Sequence, residues 1–389
     1  MFKQSPNSPL TVPAAATPTE TPATTPVAIN GFGRIGRCLL RALVESNRRD
    51  LEVRAINELA DPATIRHLTQ YDSTHGRFPG PVDLEPATPT GHALRVNDHT
   101  IRLLNQPQVA ALPWRELGVE MVFECSGSFT DRKTAAQHLA QGAQRVLFSQ
   151  PADRDLDATV VAGVNPGTLK PHHRIVSAAS CTTNAITPVL QTLHRTLGIE
   201  SGLLCTLHAA MHDQPVIDAY HHTDLRKTRA AFESMIPVDT ALAAGIGRIL
   251  PELDGRLAAR AIRVPLANVS AMDATLQLRR TTTAADLNQI LQQAAAEQYP
   301  GLLGYTEEPL ASCDFIHDPH SGTVDASQTT VVNGRLAKLL IWFDNEWGYA
   351  CRLIDVATLW LATAKNPQKA PLTRGVGGFP SAPHPPPAK

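Results

Sequence analysis

The sequence predicts a two-domain α/β protein. A doubly wound parallel sheet comes first, followed by an α+β domain built on an antiparallel sheet. Three observations lead there. Between residues 27 and 164, short apolar runs alternate with amphipathic stretches, the pattern of strands joined by helical crossovers. After residue 181 the apolar runs lengthen and take a period of two, as strands joined without crossovers do. The 389 residues also exceed what one hydrophobic core usually organises.

The elements follow in order. Val27–Asn30 reads as a strand, and Arg37–Arg48 as a helix with an apolar stripe at Leu40, Leu43 and Val44. Leu51–Ile56 is a second strand, and Asp61 caps the next helix with Pro62 just inside it. Met121–Cys125 is a buried strand, Thr130–Gln141 a helix, and Arg145–Phe148, Asp157–Val164 and Arg174–Ser177 are strands. Helix-like residues follow Cys181 as far as Arg195, and Leu203–His208 is a strand ending in a histidine. Ala258–Pro265, Ser270–Arg279, Gly322–Val332 and Leu336–Phe343 are the antiparallel candidates, with one helix at Ala284–Gln298 between them. Residues 1–26 and 366–389 are rich in Pro with few large apolar side chains, so they are expected to be disordered.

Composition narrows the function. With 43% hydrophobic and 18% charged residues, the chain suits a globular fold with a large core. A formal charge of -1 gives no electrostatic case for nucleic acid or an anionic membrane. No apolar run approaches the roughly 18–20 residues that span a bilayer, and the N-terminus lacks a secretory apolar stretch. The six cysteines lie scattered without CxxC pairs, so neither a disulfide framework nor a metal site is expected, and a cytoplasmic setting fits best.

Gly31-Phe32-Gly33-Arg34-Ile35-Gly36 is GxGxxG placed between a strand and a helix, the fingerprint of a Rossmann-type dinucleotide site. Gly31 permits the tight turn, Gly33 lets backbone approach a pyrophosphate, and Gly36 allows close helix–strand packing. Glu58 ends the second strand where an acid is expected to take the ribose hydroxyls, which favours NAD over NADP. Cys181 opens a helix, where free N–H groups stabilise a thiolate. His208, at the end of a strand, is a candidate partner and general base.

Ala28–Arg37, Ser180-Cys181-Thr182-Thr183-Asn184 and Asp344-Asn345-Glu346-Trp347-Gly348-Tyr349 together resemble glyceraldehyde-3-phosphate dehydrogenases, in order and spacing over nearly the whole body. The resemblance implies Cys181 as nucleophile, His208 as base, and Asn345 as the group that positions the nicotinamide carboxamide. It implies an NAD-binding domain at about 27–180, completed by a C-terminal helix at 345–365, and a catalytic domain at 181–344. The cofactor contacts then take in Gly31, Gly33, Arg34, Ile35, Gly36, Glu58, Ser149 and Asn345. Substrate contacts fall to Ser180, Thr182, Lys227, Thr240 and Arg263. A homotetramer is implied, with a loop at about 209–232 reaching a neighbour's cofactor.

The chain departs from the commonest family pattern at its anion sites. Threonines are usual three and five residues after the histidine, where this chain has Met211 and Asp213. Methionine cannot donate to phosphate and an ionised aspartate repels it. Lys227 stands at an arginine position and Thr240-Ala241 at a Thr-Gly pair. Ala210–Gln214, Val216–His221, Asp224–Arg226, Ile236–Thr240, Leu156–Val161 and Asp314–Ser321 resemble a sister group, the D-erythrose-4-phosphate dehydrogenases. That likeness implies oxidation of D-erythrose 4-phosphate to 4-phosphoerythronate, on the route to pyridoxal phosphate, with water cleaving the thioester. Lys227 departs from that group too, since arginine is expected there. The alternatives are a phosphorylating glyceraldehyde-3-phosphate dehydrogenase and a non-catalytic NAD-binding regulator. Met211 also reads as core filler, and His212, His221 and His222 as solvated loop.

Overall fold

The computed structural model describes residues 24–88, 91–221, 223–365 and 379. Two large sheets organise them. The first contains nine strands: β1 Thr25–Asn30, β2 Leu51–Asn57, β3 Val82–Thr88, β4 Gly91–Val96, β5 His99–Leu104, β6 Met121–Glu124, β7 Arg145–Phe148, β8 Ala158–Thr159 and β9 Ile175–Ser177. Their order is β8-β9-β7-β6-β1-β2-β5-β4-β3. Every pairing is parallel from β8 to β5, and the β5-β4-β3 edge is antiparallel. β1 pairs with β2 on one side and β6 on the other, so the strand order reverses there. The carboxyl ends of these three strands open the crevice where such sheets take ligands.

The second sheet holds β10 Ile199–His208, β11 Ile236–Val238, β12 Leu257–Arg263, β13 Ser270–Leu278, β14 Leu303–Thr306, β15 Gly322–Val332 and β16 Leu336–Phe343, in the order β11-β12-β10-β13-β16-β15-β14. It is mostly antiparallel, with β10 parallel to β12 and β14 parallel to β15. The helices are α1 Arg34–Glu45, α2 Pro62–Gln70, α3 Arg132–Ala140, α4 Cys181–Thr196, α5 Leu242–Ile249, α6 Ala284–Gln293 and α7 Trp347–Lys365. The mixed α/β class read from the sequence is the observed one.

Several boundaries differ for physical reasons. β1 begins at Thr25 and Thr25 is buried, so the ordered body reaches into the expected loose segment. α1 starts at Arg34 rather than Arg37, because Gly33 is already its N-cap, and it ends before the left-handed Asn47. Only Ala158–Thr159 of the expected strand at 157–164 pairs. Asn165 Oδ1 accepts the Val161 N–H instead, and Gly163 turns the chain with φ +78°. The last turn of the helix expected at 284–298 widens to a π-turn over Ala294–Gln298. α2 has the predicted cap, with Asp61 accepting the Thr64 N–H. Apart from residues 24–26 and 379, the two Pro-rich ends lie outside the described residues; Phe379 packs against the main core.

α7 returns from the second sheet and packs along α1. It is apolar nearly all round, and Trp347, Cys351, Leu353, Ile354, Val356 and Trp360 are fully buried. A helix of that kind belongs inside a core. Among the described residues no helix is long and apolar enough to cross a membrane.

Candidate active site and dinucleotide cleft

The glycine motif is dictated by close approach. Gly31 adopts φ +89°, and a Cβ there would sit 2.4 Å from the Ser126 backbone. A Cβ on Gly36 would sit 2.3 Å from the Gly31 carbonyl oxygen. At Gly33 a Cβ would meet nothing within 4 Å, so the loop presents open space at the start of α1. Backbone N–H groups at that helix start are the natural seat of a pyrophosphate, and the cradle fits the cofactor that the motif implies.

Glu58 lies across this loop. Its Oε2 accepts the Phe32 N–H at 2.8 Å and its Oε1 the Leu59 N–H at 2.7 Å. Oε1 also accepts the Ala60 N–H at 3.4 Å, so of a carboxylate's roughly four acceptor positions one on Oε2 remains for a ribose hydroxyl. Arg34 is different. Its guanidinium spans the carboxylates of Glu346 and Asp72, which leaves its backbone, with that of Ile35, as the part offered at the helix start. Ser149 follows β7, and its N–H is bound to the Glu124 carbonyl at 3.0 Å.

The sulfur site sits where β9 turns into α4. Ala179 takes a left-handed φ of +60°, uncommon for a residue with a Cβ, and four bonds hold the turn. Tyr349 Oη donates to the Ala179 carbonyl at 2.7 Å, and the Ala179 N–H donates to Ser177 Oγ at 3.1 Å. Asn184 Nδ2 donates to the Ala178 and Ser180 carbonyls at 2.8 and 2.9 Å. Ser180 caps α4, accepting the Thr183 N–H at 3.0 Å, and its hydroxyl also meets Thr182 Oγ1 at 2.8 Å. The result projects Cys181 at the first helical position.

Cys181 Sγ lies 3.7 Å from His208 Nε2. The other imidazole nitrogen, Nδ1, is 2.8 Å from the Ala209 carbonyl oxygen, which can only accept. The proton is therefore on Nδ1, and Nε2 faces the sulfur as a base. Burial pushes the Cys181 thiol up to about 11, although the Thr182 N–H and the Arg263 charge pull the other way. Burial likewise lowers His208 to about 4, only partly opposed by its bond to the Ala209 carbonyl. Burial thus favours the neutral form of both groups and works against the thiolate that the helix start favours. Desolvation of the charged form outweighs one helix terminus.

The anion side is an ion group. His208 and Arg263 are register partners on β10 and β12. Asp213 sits between two cations, 2.8 Å from Lys227 Nζ and 3.2 Å from Arg263 Nη1. Gln214 Oε1 accepts from Arg263 at 3.0 Å. Burial works against ionising Asp213, but the Lys227 hydrogen bond and the Arg263 charge prevail and hold it below the usual carboxylate range. Thr240 is exposed, and its Oγ1 accepts the Leu242 N–H at the start of α5. Met211 is 40% exposed and so is not core filler. His212 is exposed and His221 half-buried, while His222 lies outside the described residues.

Two contributors were not legible in the sequence. Ser270 Oγ accepts the Ala209 N–H at 3.0 Å and lies 2.7 Å from Asn345 Oδ1, tying the histidine strand to the residue expected to hold the nicotinamide. Tyr349 was visible only as a motif letter, without its bond beneath the nucleophile turn.

Comparison with known families gives two matches in chain order. Residues 25–132 match the glyceraldehyde 3-phosphate dehydrogenase NAD binding domain, and residues 180–345 match the glyceraldehyde 3-phosphate dehydrogenase C-terminal domain.

Proposed function

The chain belongs to the glyceraldehyde-3-phosphate dehydrogenase family and uses NAD as its cofactor, and on that premise we propose that it oxidises D-erythrose 4-phosphate to 4-phosphoerythronate. In this reading residues 27–180 with 345–365 form the NAD-binding domain and 181–344 the catalytic one. Gly31, Gly33, Arg34, Ile35, Gly36, Glu58, Ser149 and Asn345 hold the cofactor. When bound, NAD supplies a cationic nicotinamide that accepts a hydride.

Cys181 attacks the aldehyde carbon while His208 Nε2, 3.7 Å from the sulfur, takes the thiol proton. That proton passes to the new alkoxide, giving a hemithioacetal. As the carbon loses its hydride, His208 takes the hydroxyl proton back and a thioester remains on Cys181. In this reading the Cys181 N–H and His208 stabilise charge on the substrate oxygen. His208 releases that hydroxyl proton to solvent, and water, deprotonated by the freed imidazole, then adds to the thioester carbon. Cys181 leaves as the thiol, and the acid is released.

The observation that carries the choice of substrate and acceptor is the Lys227–Asp213–Arg263 group. Two cations against one carboxylate leave a single excess positive charge. That suits one phosphate ester, held by Arg263 and Lys227 with Ser180, Thr182 and Thr240 near it. It leaves no cation for inorganic phosphate, so water acts as acceptor. The test is product analysis with purified protein, NAD and D-erythrose 4-phosphate in phosphate-free buffer. Stoichiometric 4-phosphoerythronate is expected. Turnover of glyceraldehyde 3-phosphate alone, strictly dependent on inorganic phosphate, would establish the phosphorylating alternative.

We also infer a homotetramer. Val216, Ile217, Tyr220, Leu225 and Met235 are strongly exposed on the 209–235 segment, and Leu203 on β10. Such apolar area is normally covered by another chain. Sedimentation at the mass of one chain would refute it.

A further inference from the structure

Behind the glycine loop lies a second cluster of reactive side chains that the proposed chemistry does not use. Cys38 on α1, His75 in the turn after Asp72, and Glu346 just before α7 each turn a ligand atom toward the others, and these atoms lie within 4.8 Å of one another. Cys38 is 2% exposed and Glu346 8%. We propose that these three residues form a binding site for a thiophilic divalent cation of the zinc class, which clamps α1, the 72–76 turn and the start of α7. The site stands independently of the substrate assigned above.

Geometry is the first argument. His75 Nε2 and Glu346 Oε2 stand 3.1 Å apart. Zinc bonds of about 2.0–2.1 Å to nitrogen and oxygen place two tetrahedral ligands roughly 3.3 Å apart, so an ion can replace the proton between these atoms with little movement. The Cys38 sulfur has to close by only about an ångström to reach its zinc bond of about 2.3 Å. A sulfur, an imidazole nitrogen and a carboxylate oxygen suit a borderline-soft ion better than calcium or magnesium.

The packing behind the imidazole is the second. His75 Nδ1 is 3.2 Å from His317 Nδ1, and His317 Nε2 is 2.7 Å from Glu45 Oε2. An ion on His75 Nε2 leaves the ring proton on Nδ1, facing the acceptor nitrogen of His317, and the Cys38 thiol gives up its proton as it ligates. His317 and Glu45 then orient the ligating imidazole as a histidine–carboxylate relay does behind known metal sites. Arg34 keeps Asp72 and its bond to Glu346 Oε1 at 2.7 Å, and only its second bond to that carboxylate, from Nη2 to Oε2, gives way to the ion.

The test uses the full chain carrying Cys181→Ala, so that the nucleophile contributes no thiolate. After chelator treatment, cobalt(II) should produce a thiolate-to-cobalt charge-transfer band and the visible bands of a tetrahedral ion, at about one ion per chain. Zinc should displace it and raise the Tm. Adding Cys38→Ser should abolish the charge-transfer band, with folding checked by circular dichroism. His75→Gln, the second variant, should weaken zinc binding at least about tenfold. Absence of the band, or its persistence without Cys38, overturns the proposal.

Discussion

The two ends of the cleft are built from different materials. The dinucleotide end is backbone: a Cβ on Gly31 or Gly36 would fall 2.4 or 2.3 Å from main-chain atoms, and Glu58 is pinned by main-chain N–H groups. The end proposed for the substrate is side-chain charge, with Asp213 dividing its attention between Lys227 and Arg263. Backbone geometry is shared by every residue of a loop and changes only with the loop. A charge balance changes with one side chain. The cofactor is therefore the durable part of this architecture, and the acceptor and substrate are the adjustable part.

The comparison is broken most sharply between the two ends, at the reacting pair. His208→Asn should lower kcat by on the order of 10²–10⁴ while leaving NAD affinity within a few-fold, read by steady-state kinetics and calorimetric NAD titration. A parallel loss of NAD affinity would mean that the imidazole supports the cleft rather than the reaction.

The same residue has a stability signature. Folding lowers its pKa from the ordinary 6.5 to about 4, so the unfolded chain binds the extra proton first as the solution is acidified. Its contribution is present above pH 6.5 and is lost as pH falls from there to about 4, at most on the order of 3 kcal/mol. Chemical denaturation across that range should therefore be steeper for the wild type than for His208→Asn. Equal slopes would place the acid sensitivity elsewhere.

Within the dinucleotide end, two glycines give opposite expectations. Gly36→Ala puts a methyl 2.3 Å from a carbonyl oxygen and should cost about 1–3 kcal/mol in denaturation experiments. Gly33→Ala meets nothing within 4 Å and should leave stability intact while weakening NAD binding. Equal destabilisation by both would show that packing, not cofactor approach, selects the second glycine.

The smallest effect is expected at the substrate end. Asp213→Thr frees Lys227 and Arg263 and should let inorganic phosphate accelerate thioester cleavage by about tenfold, the order of one charge-assisted hydrogen bond. Rates insensitive to phosphate in this variant would remove Asp213 from acceptor choice.

What the sequence disclosed follows the same division. GxGxxG was legible because its constraint is steric and local, and Asp61 at its helix start for the same reason. The run at 157–164 misled because burial alone does not make a strand; Val161 is satisfied by the Asn165 side chain rather than by a neighbouring strand. Ser270 beneath Asn345 and Tyr349 beneath Ala179 join residues 75 and 170 positions apart, beyond the reach of any spacing argument. The upward pull of burial on the Cys181 thiol is not legible in the sequence because it depends on how much water the fold removes, and a helix terminus says nothing of that.

The return of α7 onto α1 has a consequence for biosynthesis. Glu346, the partner of Arg34 at the opening of the cleft, lies 312 residues downstream of it. A ribosome extends the chain from its amino end, so the dinucleotide sheet emerges while its last wall is still unmade. That sheet must wait, partly uncovered, until nearly the entire polypeptide has been translated. Premature termination between Ser177 and the final helix would release a product whose first sheet is synthesised in full yet left without its closing wall.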